Sequence, residues 1–299
     1  MPLPDSRIPT PLPAWYLAIA LAALAWGGAW IAAAEAGVQI ENSFTRFNRD
    51  RIESFRSRAS VTGARRVIVL GSSALKYATR EEQAFAAGIA GAAKLPVEAL
   101  RISSNWGTFY DFAPLAADIR RAGPDIVVME AEFLAADRSP GRRFLLWVED
   151  LRSQLGLDTE AAEDDAKVQF GYPCWSRRLQ SDHDKLLGAL SDWVSIRPDG
   201  PGPRSARRFA EELLDDGIEV AFVAIPRHPD YEIEASRTRM IASDGESSRA
   251  LAGRVQHWQP EPLPAGLYCD LTHVTPAGQA RYSDWLEKSI AQALAPVAP

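Results

Sequence analysis

Apolar, β-branched runs recur along the chain between stretches with helical spacing. Arg66-Val67-Ile68-Val69-Leu70 is apolar after its first residue and stops at Gly71. A run without polar alternation reads as a strand buried on both faces of a parallel sheet. Leu100-Arg101-Ile102-Ser103, Asp125-Ile126-Val127-Val128-Met129 and residues 218–225 read as three further strands. Between them, residues 80–93 are Ala-rich and helical. Residues 112–122 have helical spacing and stop before Gly123-Pro124, and residues 205–216 form a helix that ends at Gly217. A last helix starts near Pro276, at a position that suits proline, and runs through residue 286. This alternation predicts an α/β fold with a doubly wound, mostly parallel, flavodoxin-like sheet, whose sites sit at the carboxyl ends of the strands. Residues 137–204 break the alternation with a helical piece (142–155), an acidic stretch (160–165) and a Pro/Gly loop (198–203). They read as an insertion in one domain, 65–299.

The start of the chain follows another pattern. Residues 1–13 are Pro-rich, and residues 14–34 carry no charge until Glu35. About 20 apolar residues in a helix cross a ~30 Å hydrocarbon layer. Trp15, Tyr16 and Trp30 stand near the two ends, where interfacial aromatics belong. Residues 14–36 are therefore read as a membrane anchor, 1–13 as a cytoplasmic tail and 37–64 as a stem that is helical over 40–60. A cleaved signal peptide and a buried core helix are the competing readings. Arginines flank both sides, so charge alone does not orient the anchor.

Composition narrows the classes. The 299 residues are 46% hydrophobic and 24% charged, which excludes disorder and low complexity. A net charge of −6 supplies no basic field for nucleic acid. Two cysteines exclude a disulfide-dense scaffold and a four-cysteine zinc site. No metal-ligand cluster, Walker loop or G-x-G-x-x-G fingerprint is present, so neither metal nor cofactor is expected.

The candidate chemistry stands after the strands: Gly71-Ser72-Ser73, then Ser104-Asn105-Trp106-Gly107, and Asp270-Leu271-Thr272-His273 before the last helix. A serine hydroxyl becomes a nucleophile when a base takes its proton, and a carboxylate on the far ring nitrogen sets the histidine tautomer. Ser73, His273 and Asp270 are the candidate triad. Backbone N–H groups of Ser73 and Gly107 are the candidate oxyanion donors. Structural readings stand beside these: Ser73 as a helix cap, Asp270 as a turn residue, His273 as a packed loop residue and Gly107 as a tight-turn residue. Arg227 and His228, just after the fourth strand, are candidate substrate contacts or plain surface residues. His183 reads as solvated and His257 as structural.

These three blocks resemble the SGNH/GDSL hydrolases over roughly residues 65–130 and 205–290. The resemblance implies Ser73 as nucleophile, Gly107 as a backbone donor and Asp270 and His273 as the remaining triad. Two departures stand out. The usual Gly-Asp-Ser is Gly-Ser-Ser, and the third block, Glu130-Ala131-Glu132-Phe133, lacks the oxyanion Asn. Glu130 and Glu132 are expected to donate nothing into the oxyanion hole, with one of them facing Arg227 or a sugar hydroxyl. The apolar N-terminus makes the layout similar to membrane-tethered proteins of cell-envelope acylation, including the D-alanyl-lipoteichoic acid and alginate O-acetylation families. That layout implies a single-pass protein of the bacterial cytoplasmic membrane with its catalytic domain in the periplasm or outside. It implies acyl, chiefly acetyl, transfer or hydrolysis on a polysaccharide, beside a membrane-bound O-acyltransferase. The alternative is a non-catalytic glycan-binding or scaffold module. In an exported domain Cys174 and Cys269 are expected to pair, tying the insertion to the triad loop.

Overall fold

The computed structural model describes residues 12–35, 39, 41–105, 107–157, 194–229, 231, 251 and 253–295. The chain opens with α1 (Leu12–Trp30), which runs into a π-helical turn (Ile31–Glu35), and α2 (Ser43–Thr62). Then come β1 (Arg65–Ser72), α3 (Ser73–Ala78), α4 (Glu82–Ala93), β2 (Val97–Ser104), α5 (Phe109–Phe112), α6 (Ala116–Ala122) and β3 (Ile126–Glu130). β4 (Ala136–Arg138), α7 (Pro140–Gln154), β5 (Val194–Ile196) and α8 (Pro201–Asp215) follow. β6 (Glu219–Val223), β7 (Gln256–Trp258) and α9 (Pro276–Leu294) complete the described elements.

The main sheet has the order β2-β1-β3-β6-β7, and every neighbouring pair is parallel. The chain winds outward from β1 in both directions, so the switch point lies between β1 and β3, where this class of sheet places its site. Because strand side chains alternate, the unbroken apolar runs feed two cores at once. Ile68, Leu70, Ile102, Val127, Met129 and Phe222 pack on one face with α2, α5, α6 and α8. Val67, Val69, Val128, Ala221 and Val223 pack on the other with α3, α4 and α9.

The four expected strands are present, with ends shifted by up to a few residues. β7 was not expected: it is three residues long and mostly exposed, and leaves no apolar run to read. The expected helix over 112–122 is split by a 3-10 turn at Ala113–Leu115, where Pro114 has no N–H to donate. The insertion leaves and rejoins the domain through an antiparallel pair, Ala136↔Ile196 to Arg138↔Val194. Its far boundary comes earlier than expected, since α8 begins at Pro201 and belongs to the layer over the sheet. Asp137 and Arg143 fasten its near end with a fully buried ion pair at 2.7 Å. The same carboxylate accepts the Gly202 N–H at the start of α8. A Cβ at Gly202 would stand 2.7 Å from Asp137 Oδ1, so only glycine lets the helix end come this close.

Candidate active site

The site starts from a tight strand-to-helix turn at the end of β1. A Cβ at Gly71 would lie 2.3 Å from Leu75 Cδ2, so glycine is what allows α3 to fold back onto the strand. Ser72 caps α3, its Oγ accepting the Ala74 N–H at 3.2 Å. Ser73 is the first helical residue, and by position its own N–H has no intrahelical acceptor.

The opposite wall is the loop before α9. An antiparallel bridge between Tyr268 and Val274 pinches it, and the Cys269 N–H donates to the His273 carbonyl at 2.9 Å. Asp270 Oδ1 accepts the N–H groups of Thr272 and His273, each at 2.7 Å. That leaves Asp270 Oδ2 2.7 Å from His273 Nδ1. His273 Nε2 in turn stands 3.3 Å from Ser73 Oγ. Burial pushes the Asp270 carboxyl up, but the His273 hydrogen bond, its charge and the two backbone N–H groups together hold it below its ordinary value. An ionised carboxylate only accepts, so Nδ1 carries the proton and Nε2 is left to accept from the serine. Asp270 is nearly buried and the His273 side chain keeps 19% exposure, so the ring edge nearest Ser73 remains reachable.

The two walls are sewn together along α3 and α9. Gln279 donates to the carbonyls of Tyr77 and Thr79, and Ser283 Oγ accepts the Arg80 N–H at 2.8 Å. Arg101 is partly buried beside α3 and donates to Thr79 Oγ1 and the Arg80 carbonyl, both at 2.6 Å. Burial lowers its pKa.

Glu130, at the end of β3, lies under the nucleophile turn. Its Oε2 accepts the Ser72 N–H at 2.7 Å and its Oε1 pairs with Arg227 at 2.9 Å. Burial raises the Glu130 pKa against the opposing pull of Arg227. Glu130 thus accepts and does not donate, and it faces Arg227, one of the two alternatives expected. The pairing changes the reading of Arg227, whose guanidinium is largely buried on Glu130 and not displayed as an open cation. His228 reaches the triad loop through its backbone, donating to the Leu271 carbonyl at 3.0 Å, while its ring stands edge-on to Tyr268. Of the two readings of Gly107, the geometry matches the tight turn. Its N–H donates to the Ser104 carbonyl at 3.0 Å, and a Cβ would sit 2.9 Å from that oxygen. The tight turn is what this glycine serves here, and an oxyanion would have to share its N–H.

Tyr77, which sequence reasoning missed, packs edge-on against the His273 ring at 5.2 Å. Its position four residues after Ser73 on a helix was the available signal. Cys174 and His183 lie outside the described residues; Cys269 is described and has no free thiol. Among the described residues no group of three His, Cys, Asp or Glu is placed to hold a metal. A charged cavity of about 720 Å³ lies at the opposite, amino-terminal ends of the strands, lined by Arg65, Arg66, Arg120, Asp125 and Glu219.

No protein-family model matches the chain, and no curated protein does. Among solved structures it is similar to a GDSL-like lipase from Bacteroides thetaiotaomicron VPI-5482, at 13% identity and TM-score 0.42 over 83% of this chain and 98% of that one. It is similar to the lipase/acylhydrolase from Enterococcus faecalis at 10% identity and TM-score 0.42, over 79% and 100%. A family two carbohydrate esterase from Clostridium thermocellum in complex with cellohexaose matches at 10% identity and TM-score 0.38, over 77% and 64%.

Proposed function

We propose that this chain is an SGNH-type serine enzyme that removes or transfers a small acyl group, acetyl, on an envelope or secreted polysaccharide. It is tethered to the bacterial cytoplasmic membrane by α1, with the domain in the periplasm or outside and a membrane-bound O-acyltransferase as its partner. The observation that carries the chemistry is the relay from Asp270 Oδ2 through His273 to Ser73 Oγ, at 2.7 and 3.3 Å. His273 Nε2 takes the Ser73 proton as Oγ attacks the acyl carbonyl. The Ser73 N–H receives the oxyanion, joined by Gly107 if its N–H is shared. Collapse expels the first alcohol, which leaves with the proton held by His273, and Ser73 carries the acyl group as an ester. Water or a sugar hydroxyl then attacks, His273 takes its proton, and Oγ recovers it as the acyl group leaves. Arg227 and His228 contribute to substrate binding through the walls they brace.

Support for a retained anchor, as against a cleaved leader, comes from packing. Residues Trp15–Ala33 are long and apolar enough to cross a membrane. Ala33 is fully buried beside Phe144 of α7, so removal of this segment would uncover an aromatic side chain.

A second reading, a non-catalytic glycan-binding scaffold, is favoured by one observation: the Gly107 N–H is already engaged. The deciding experiment incubates full-length protein with an activated acetyl ester, with and without an oligosaccharide. The expected result is acetyl release, a 42 Da adduct on Ser73 by peptide mass mapping (about the mass of an acetyl group replacing a proton) and loss of both in Ser73→Ala. Release that ignores Ser73→Ala overturns the mechanism, and glycan binding without release selects the scaffold.

A further inference from the structure

The aromatic contacts between α1 and α7 carry a consequence for the membrane. Phe144 of α7 meets Trp26 edge-on at 4.9 Å and Trp30 at 5.1 Å, and stacks with Trp147 at 6.4 Å. Ala29, Trp147 and Val148 close around it. Trp26 and Trp30 belong to the apolar span that ends at Ala33. At about 1.5 Å per helical residue, they lie about 10 and 5 Å inside that end. A side chain that touches both is held at the same depth. Interfacial helices bury their apolar side about 5–10 Å below the headgroups, the depth at which Phe144 is fixed.

We infer that α7 is an interfacial membrane helix, seated in the bilayer that α1 crosses, with Leu145 in contact with the lipid acyl chains. This rests on the proposal that α1 spans the membrane. Leu145 follows Phe144 and is 53% exposed, an apolar side chain that leaves about half of its surface open beside that contact. Polar groups suit a helix that lies at the boundary. Arg142 and Glu149 flank Leu145 on adjacent turns and face each other at 3.7 Å, and Asp150 accepts from Asn42. The inner side of α7 is fastened to the domain by Arg143, through its buried pair with Asp137. The helix therefore holds the span on one side and the domain on the other, so the domain keeps one orientation relative to the membrane.

The test uses the full chain in vesicles. Leu24→Cys, at the middle of the span, Leu145→Cys, and Lys288→Cys on the exposed side of α9 each receive a bimane label, and the wild-type chain treated identically supplies the background. Phospholipids with a nitroxide at carbon 5 or carbon 12 of the acyl chain then quench by depth. The expected result is that Leu145→Cys is quenched at least twofold more by the shallow nitroxide than by the deep one. Leu24→Cys shows the reverse order, and Lys288→Cys responds to neither. If Leu24→Cys is quenched and Leu145→Cys behaves like Lys288→Cys, the interfacial helix is wrong and the anchor stands. If Leu24→Cys also behaves like Lys288→Cys, the anchor fails and takes the interfacial helix with it.

Discussion

Asp270 does two jobs with its two oxygens. Oδ1 takes two backbone N–H groups and Oδ2 faces His273 Nδ1. In Asp270→Asn the amide oxygen stays with the backbone donors, so the NH2 group must donate to Nδ1. That forces the proton onto Nε2 and leaves no lone pair for Ser73. The expected loss in kcat is about 10³–10⁴-fold, with little change in folding, as for a triad carboxylate replaced by its amide. A burst assay with an acetyl ester beside thermal unfolding reads both. Lys76, one turn after Ser73, is half-buried, and burial, with Arg101 adding repulsion, lowers its pKa from 10.5 to about 8. Between those values the unfolded chain holds a proton that the folded chain has lost, so native stability rises with pH. Below pH 8 the charge is present in both states and penalises the folded one. Lys76→Met is expected to be more stable at pH 7 by about 1 kcal/mol, after allowance for exposure and screening. The gain should shrink above pH 8, and a constant gain in denaturant titrations at pH 7 and 9.5 would contradict this account.

The nucleophile depends on how α3 leaves β1. Gly71→Ala places a methyl group inside the Leu75 side chain, which is fully buried. Leu75 cannot move without moving α3, and α3 carries Ser73. Overpacking of this kind costs about 1–3 kcal/mol. Catalysis is expected to suffer beyond the loss of stability, because a shift of about 1 Å in a reacting group costs on the order of 10²-fold. Gly71→Ala assayed well below its Tm separates the two effects. Normal turnover in a folded variant would show that the turn tolerates the methyl group.

A buried ion pair fastens the near end of the insertion, and a disulfide is proposed as a second tie. Arg143 and Asp137 are both fully buried and make the pair that joins α7 to β4 and the start of α8. Arg143→Met strands the carboxylate, and removing one partner of a buried pair costs about 3–5 kcal/mol. Asp137→Asn in the Arg143→Met background is expected to recover part of that loss, a comparison that chemical denaturation can make. The second tie is the proposed Cys174–Cys269 disulfide. Closing a loop of roughly 95 residues contributes about 4–5 kcal/mol at most in the chain-entropy model. Non-reducing peptide mapping of protein from membranes should find the two cysteines in one linked peptide pair, and two alkylatable thiols would exclude the bond.

The apolar runs at 66–70, 125–129 and 218–225 specified buried parallel strands, because a run with no polar alternation must be covered on both faces. The uncharged stretch at 14–34 specified a helix able to cross a membrane, since length and hydropathy are local properties. The Asp-x-x-His spacing put the carboxylate and the imidazole on one short loop, where the structure finds them 2.7 Å apart. Contacts between distant segments are a different matter. That His273 reaches Ser73, 200 residues away, depends on how α9 is sewn to α3 by Gln279 and Ser283. Arg227 faces Glu130 and not solvent because β3 and β6 are neighbours and end at the same level. Gly107 lends its N–H to Ser104 because the chain turns sharply after β2. Local pattern determines which segments form elements and which faces they must bury. Only the packing of those elements decides which of the polar groups at their ends face substrate and which spend their hydrogen bonds on one another.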